Sequence, residues 1–151
     1  MCIRDRSGIG IEAEVRALDA PSFYATEVGN PDRVRDNGIG IVLATWTADF
    51  PTAGSFLLPL VDGRAIRTVG NTNYARFDDK TVNGLVDAAR TAKDTGTAAQ
   101  GWGQVAQAVD QAHVYVPLAE NRVQLLAGQR LRNGLVMQPY GAYDVATAGV
   151  G

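Results

Sequence analysis

Gly38-Ile39-Gly40-Ile41-Val42-Leu43-Ala44-Thr45-Trp46-Thr47-Ala48-Asp49-Phe50-Pro51 is the stretch on which the fold turns. Ile39 to Thr45 is a continuous apolar run of strand length, rich in branched residues. Such a run predicts a strand covered on both faces, as in a buried parallel sheet, because a half-exposed strand alternates apolar and polar residues. Ligands of open α/β sheets collect beyond the carboxyl ends of strands, so Trp46, Thr47, Ala48 and Asp49 stand where a binding site is expected. The residues alone leave two readings open. Asp49 is a cap for the turn before Pro51 or a carboxylate offered to a ligand; Trp46 is a core aromatic at a strand end or a wall of a cleft.

Upstream, Ile9, Ile11, Ala13, Val15 and Ala17 alternate with Gly10, Glu12, Glu14 and Arg16, the period of a half-buried strand. Asp19-Ala20-Pro21 ends it, and Ser22 to Val28 reads as a short helix closed by Gly29-Asn30-Pro31. A turn at Asp36-Asn37-Gly38 then leads into the apolar run. Both predicted strands open with Gly-Ile-Gly-Ile, at 8–11 and 38–41. This is not a dinucleotide fingerprint, whose glycines follow a strand and open a helix; here they precede strands and lack the third glycine.

Downstream, Trp46 to Leu60 and the loop-like Val61 to Tyr74 form a long connection, which the apolar Phe56, Leu57, Leu58 and Leu60 predict to be packed by its own side chains, with a helical turn. Asp78 or Asp79 caps a helix whose Val82, Leu85, Val86 and Ala89 form one apolar stripe, reaching about Lys93. A second amphipathic helix begins at Thr97, with Trp102, Val105, Ala106 and Val109 on its stripe. Val114 to Leu118 reads as extended, Arg122 to Leu126 as a short strand, and Gly128 to Gly151 as turn-rich, with Asn133-Gly134 and Pro139.

The composition suits one globular unit. Of 151 residues, 46% are hydrophobic and 20% charged, and the formal charge of -2 comes from acidic and basic residues mixed along the chain, with no basic stripe for nucleic acid. No apolar run approaches the ~20 residues that cross a bilayer. One cysteine, Cys2, makes neither an internal disulfide nor a metal site, and the single histidine, His113, has no triad partner in view. There is no nucleophile elbow and no metal-ligand spacing, so the sequence argues against an enzyme and calls for no cofactor. Arg64, Arg67 and Arg76 read as solvated loop arginines or as a lure for an anion; Asn73 and Tyr74 either line a cleft or order their loop.

Several local patterns, in order, resemble the extracellular solute-binding proteins that deliver peptides, nickel complexes and related solutes to ABC importers. Trp46-Thr47-Ala48-Asp49-Phe50-Pro51 resembles that family's Trp-x-Ala-Asp-Tyr-Pro segment, and Ser55-Phe56-Leu57 with Pro59-Leu60 its Asn-Phe-Leu and Pro-Leu. Gly70-Asn71-Thr72-Asn73-Tyr74 before Asp79, Val82, Leu85, Val86 and Ala88 resembles its Asn-x-x-x-Tyr loop and following helix. Val116-Pro117-Leu118 and Tyr143-Asp144 resemble its hydrophobic-Pro-Leu and closing Tyr-Asp elements. Together these run from about Gly8 to Val150. Thr52-Ala53-Gly54 departs from the acidic residue that often follows the proline, a form associated with actinobacterial members.

The resemblance implies an α/β fold of the type II periplasmic-binding-protein kind, present as an incomplete lobe. Residues 8–116 would be part of the second lobe and 117–151 a crossover returning to the first. Residues 1–7 resemble adapter-derived read-through and are expected to be non-native, with the native chain beginning upstream. The implied function is capture of a peptide or similar small solute and its delivery to ABC permease membrane subunits, by a protein that is extracytoplasmic and monomeric when full length. Nickel complexes, oligosaccharides or another solute are the alternative cargo. Asp49 would receive a peptide's ammonium group, Trp46 would offer a flat wall, and the backbone of Thr47 and Ala48 would pair with an extended ligand.

Overall fold

The computed structural model describes residue 10 and residues 14–151. The predicted first strand falls largely outside these residues, as does Cys2; residues 14–17, which are described, carry no strand.

Three helices build the core. The first of them, α3 (Ala53–Val61), starts where the Thr52 hydroxyl accepts from Ser55 N–H. The helices α4 (Lys80–Arg90) and α5 (Thr95–Gln111) are capped by Asp79 on Val82 N–H at 2.9 Å and by Asp94 on Thr97 N–H at 2.8 Å, each satisfying a donor that the first helical turn leaves orphaned. Leu60 and Val61 of α3, Val82, Val86 and Ala89 of α4, and Trp102, Val105 and Val109 of α5 form one buried cluster. The α4 stripe is the predicted one. On α5, Ala106 is exposed instead, because the buried side continues as Trp102, Val105 and Val109, with Ala98 and Ala108 packed at its margin. Gly101 permits the approach of α4 and α5: a Cβ there would lie 2.9 Å from Ala89 Cβ.

Upstream, α1 (Ala20–Ser22) carries Pro21 in its first turn and continues as a π-helical turn, Phe23–Glu27, closed by Val28 N–H on the Phe23 carbonyl at 2.9 Å. The Asn30 side chain accepts from Asp32 N–H and Arg33 N–H and so caps α2 (Pro31–Asp36), a helix not expected between the Gly29-Asn30-Pro31 stop and the turn at Asp36.

Residues 39–45 differ from expectation. They carry no strand pairing, and Ile41 and Leu43 are 91% and 70% exposed. A strand needs a neighbour to take its N–H and C=O groups, and none of the described segments pairs with this one. Arg122 to Leu126 likewise forms no strand, and Leu126 is 93% exposed. The strands that do form are short: β1 (Leu131–Arg132) pairs antiparallel with β4 (Gly149–Val150), and β2 (Val136–Met137) with β3 (Ala142–Tyr143). Asn133, at φ 52°, makes the predicted turn between β1 and β2.

The C-terminal end of α3 is closed by side chains from distant segments. Pro59 stands inside the helix, and the carbonyls of Pro59 and Leu60 accept from Thr72 Oγ1 at 2.7 Å and Tyr115 Oη at 2.8 Å. Burial pushes the Tyr115 phenol up to about 12, from 10.0 in an unperturbed chain. The folded state therefore holds this proton where the unfolded state has lost it. The stabilisation is complete below pH 10 and falls away as pH rises toward 12. Tyr115→Phe is expected to flatten the fall of unfolding free energy between those pH values and to cost about 1 kcal/mol at neutral pH by stranding the Leu60 carbonyl. Urea titrations at stepped pH measure both; identical slopes for the two proteins would exclude Tyr115 as the titrating group.

Candidate functional site

Three segments far apart in sequence meet on the edge of the helical core. They are the π-helical turn after α1, residues 45–49, and the loop 70–74. Asn71 N–H donates to the Gly29 carbonyl at 2.8 Å, joining the loop to the end of that turn. Thr45 N–H donates to Tyr24 Oη at 3.1 Å, and the Tyr24 and Thr45 hydroxyls share a hydrogen bond of 3.0 Å. Between these segments runs an open groove of about 470 Å³, lined by Trp46, Thr47 and Asp49 and also by Tyr24, Asn71 and Tyr74. Of the four residues expected to form the site, Ala48 alone is not in its lining.

Each wall has its own support. Asn73 is fully buried; its side-chain amide donates to the Phe77 carbonyl at 2.7 Å and accepts from Phe77 N–H at 2.9 Å. Asn71 Nδ2 donates to the Asn73 carbonyl at 2.6 Å. The two readings of this loop therefore divide: Asn73 orders it, and Tyr74 lines the groove while packing on the core. Burial raises the Tyr74 phenol above its ordinary value, and the Tyr24 phenol adds to the effect. Trp46 has contacts of two kinds. It packs against the core cluster and also lines the groove, and its indole N–H is buried without a hydrogen-bond partner among the described residues.

For Asp49 the capping alternative falls away. Thr52 caps α3, and the turn before it is held by Thr52 N–H on the Phe50 carbonyl at 2.7 Å and by Ser55 Oγ, which donates to the same carbonyl at 2.6 Å. Asp49 makes no hydrogen bond or ion pair among the described residues, and it carries the only formal charge among the described residues lining the groove. It also borders a second hollow of about 380 Å³ against α3, with Arg90 among the lining residues.

The remaining candidates have structural places. Arg64 holds Asp87 through two contacts of 2.7 and 2.8 Å and the buried Asp62 through two of 2.9 and 3.0 Å; its hydrogen bonds keep both carboxyls below the usual range. It is thus no lure for an anion. Asp78 accepts from Asn83 Nδ2 at 2.8 Å while Asp79 caps α4. His113 follows α5 at φ 53° and is exposed. Among the described residues no cluster of His, Cys, Asp and Glu could hold a metal ion, and no helix is long and apolar enough to cross a membrane.

The helical core with this groove on its edge is the fold of part of a solute-binding-protein lobe, α/β in class. The solved structure of clavulanic acid biosynthesis oligopeptide binding protein 2 is similar to it at a TM-score of 0.93 and 33% identity, over 99% of this chain and 27% of that one. HbpA2 from Haemophilus parasuis is similar at a TM-score of 0.66 and 23% identity, again over 99% of this chain and 27% of the other, a likeness of fold alone. The chain spans about a quarter of the length of each. No family model and no curated protein matches the sequence.

Proposed function

We propose that this chain forms one wall of the ligand cleft of a solute-binding protein serving an ABC importer, and that it captures peptides through Asp49 for delivery to the membrane permease. In this reading residues 8–116 belong to the second lobe, residues 117–151 cross back to the first, and the full-length protein is extracytoplasmic, monomeric and a binder rather than an enzyme. The observation that carries it is Asp49 itself: a carboxylate without a partner among the described residues, in a groove whose other lining residues are uncharged. Closing the cleft over it would put an α-ammonium group into a site poor in water, where a charge-assisted hydrogen bond is worth roughly 1.5 to 3 kcal/mol. Two further observations agree: the likeness to an oligopeptide-binding protein, and the apolar, unpaired run Ile41 to Leu43, which further strands of a longer chain would cover.

Asp49→Ala in the full-length protein is expected to weaken an amine-bearing peptide at least tenfold, about 1.4 kcal/mol, as measured by titration calorimetry, while an N-acetylated peptide binds both proteins equally weakly. Unchanged affinity for the free-amine peptide would defeat the assignment.

A further inference from the structure

Tyr24 is a groove residue whose chemistry the reading above leaves unused. Its phenol oxygen is already engaged, accepting from Thr45 N–H and sharing a hydrogen bond with Thr45 Oγ1. The residue as a whole is 41% exposed, and with its oxygen engaged the ring is the part left to meet a ligand. That ring is held from two sides, edge to face by Phe23 at 4.8 Å and 86°, and by Tyr74 at 6.0 Å and 42°. A surface held this firmly gives up little conformational freedom when a ligand lies on it.

The two tilted tyrosine rings leave no parallel slot between them. They form one apolar face on which a flat side chain can rest offset or edge-on, the arrangements aromatic rings favour. Ala25 and Trp46 also line this groove. Asp49 is its one formal charge among the described residues and is taken by the ligand's ammonium group in the reading above. A second charge on the ligand would lose water there without gaining a partner. We infer that the Tyr24–Tyr74 face is a specificity-determining wall, selecting peptides whose first residue carries an apolar and preferably aromatic side chain. This inference rests on the assignment of Asp49 to the ammonium group.

The test is titration calorimetry of the full-length protein with Phe-Ala-Ala, Ala-Ala-Ala and Glu-Ala-Ala. The wild type should bind them in that order, the first about tenfold more tightly than the second, given the worth of one aromatic contact. Tyr24→Ala should reduce that ratio to about two, while Tyr24→Phe, which keeps the ring, should preserve it to within about threefold. Asp49→Ala should weaken Phe-Ala-Ala and Ala-Ala-Ala alike and leave their ratio unchanged. Equal binding of Phe-Ala-Ala and Ala-Ala-Ala by the wild type overturns the inference without any variant, and so does a ratio that survives Tyr24→Ala. In both cases a loss of affinity in Asp49→Ala leaves the ammonium site standing. If Asp49→Ala changes neither peptide, the ammonium site fails and the inference with it.

Discussion

Trp102→Ala is expected to remove about 3–5 kcal/mol of folding free energy, the cost of deleting a large buried aromatic whose cavity cannot close. The ring lies within the cluster shared by α3, α4 and α5, so its loss weakens all three packing surfaces together. Collapse onto the void is hindered because α3 faces the ring with Gly54, which has no side chain to fill the space. A Cβ at Gly54 would already lie 2.7 Å from Trp102 Cζ2. The same closeness provides a check on the mechanism. Gly54→Ala alone should destabilise by crowding the ring, but in the Trp102→Ala background that penalty should vanish, because the added methyl points into the vacated volume. Urea denaturation of the two single variants and the double variant measures the coupling. A loss below about 1 kcal/mol for Trp102→Ala, or strict additivity in the cycle, would contradict this account of the core.

That core was readable because helices announce themselves locally. The 3.6 period on Val82, Leu85, Val86 and Ala89 marks the buried side of α4, and a carboxylate or hydroxyl ahead of an apolar-periodic segment marks a start. Ambiguity arises where one local signal serves two ends. Gly29-Asn30-Pro31 reads as a terminator, yet Asn30 followed by Pro31 is equally a cap and first position of a new helix, and both uses occur here. The helix α5 starts at Thr95, two residues before the expected Thr97, because Asp94 receives Thr97 N–H and caps it. Ile39 to Thr45 shows a different limit. An apolar run states that cover is required; it does not say which segment supplies it, and among the described residues none does. The site was legible only in part for the same reason. Trp46 and Asp49 follow from their place after the apolar run, whereas Tyr24 enters the groove through a hydrogen bond spanning 21 residues, for which one sequence carries no signal.

Gly29→Ala is expected to cost about 3 kcal/mol, at the upper end for forcing extra volume into a packed site, and to weaken ligand binding from a position that does not line the groove. Gly29 is buried, and a Cβ there would run into the Tyr24 carbonyl oxygen and lie 3.3 Å from the Asn71 carbonyl oxygen. Both obstacles are backbone atoms, so no side-chain rotamer relieves the clash; the π-helical turn and the loop 70–74 must move apart. Those are the two segments joined by the Asn71 N–H to Gly29 carbonyl bond of 2.8 Å, and between them they carry Tyr24, Asn71 and Tyr74. The movement therefore opens the groove while leaving Trp46 and Asp49 chemically intact. Gly84 supplies the control. It lies inside α4, and a Cβ there meets nothing within 4 Å, so Gly84→Ala should stabilise by up to about 1 kcal/mol through helix propensity alone and leave affinity unchanged. Denaturant titration and peptide binding, measured on both variants, separate the effects. A Gly29→Ala protein as stable as wild type, or one destabilised but binding with full affinity, would show that the groove does not depend on this junction.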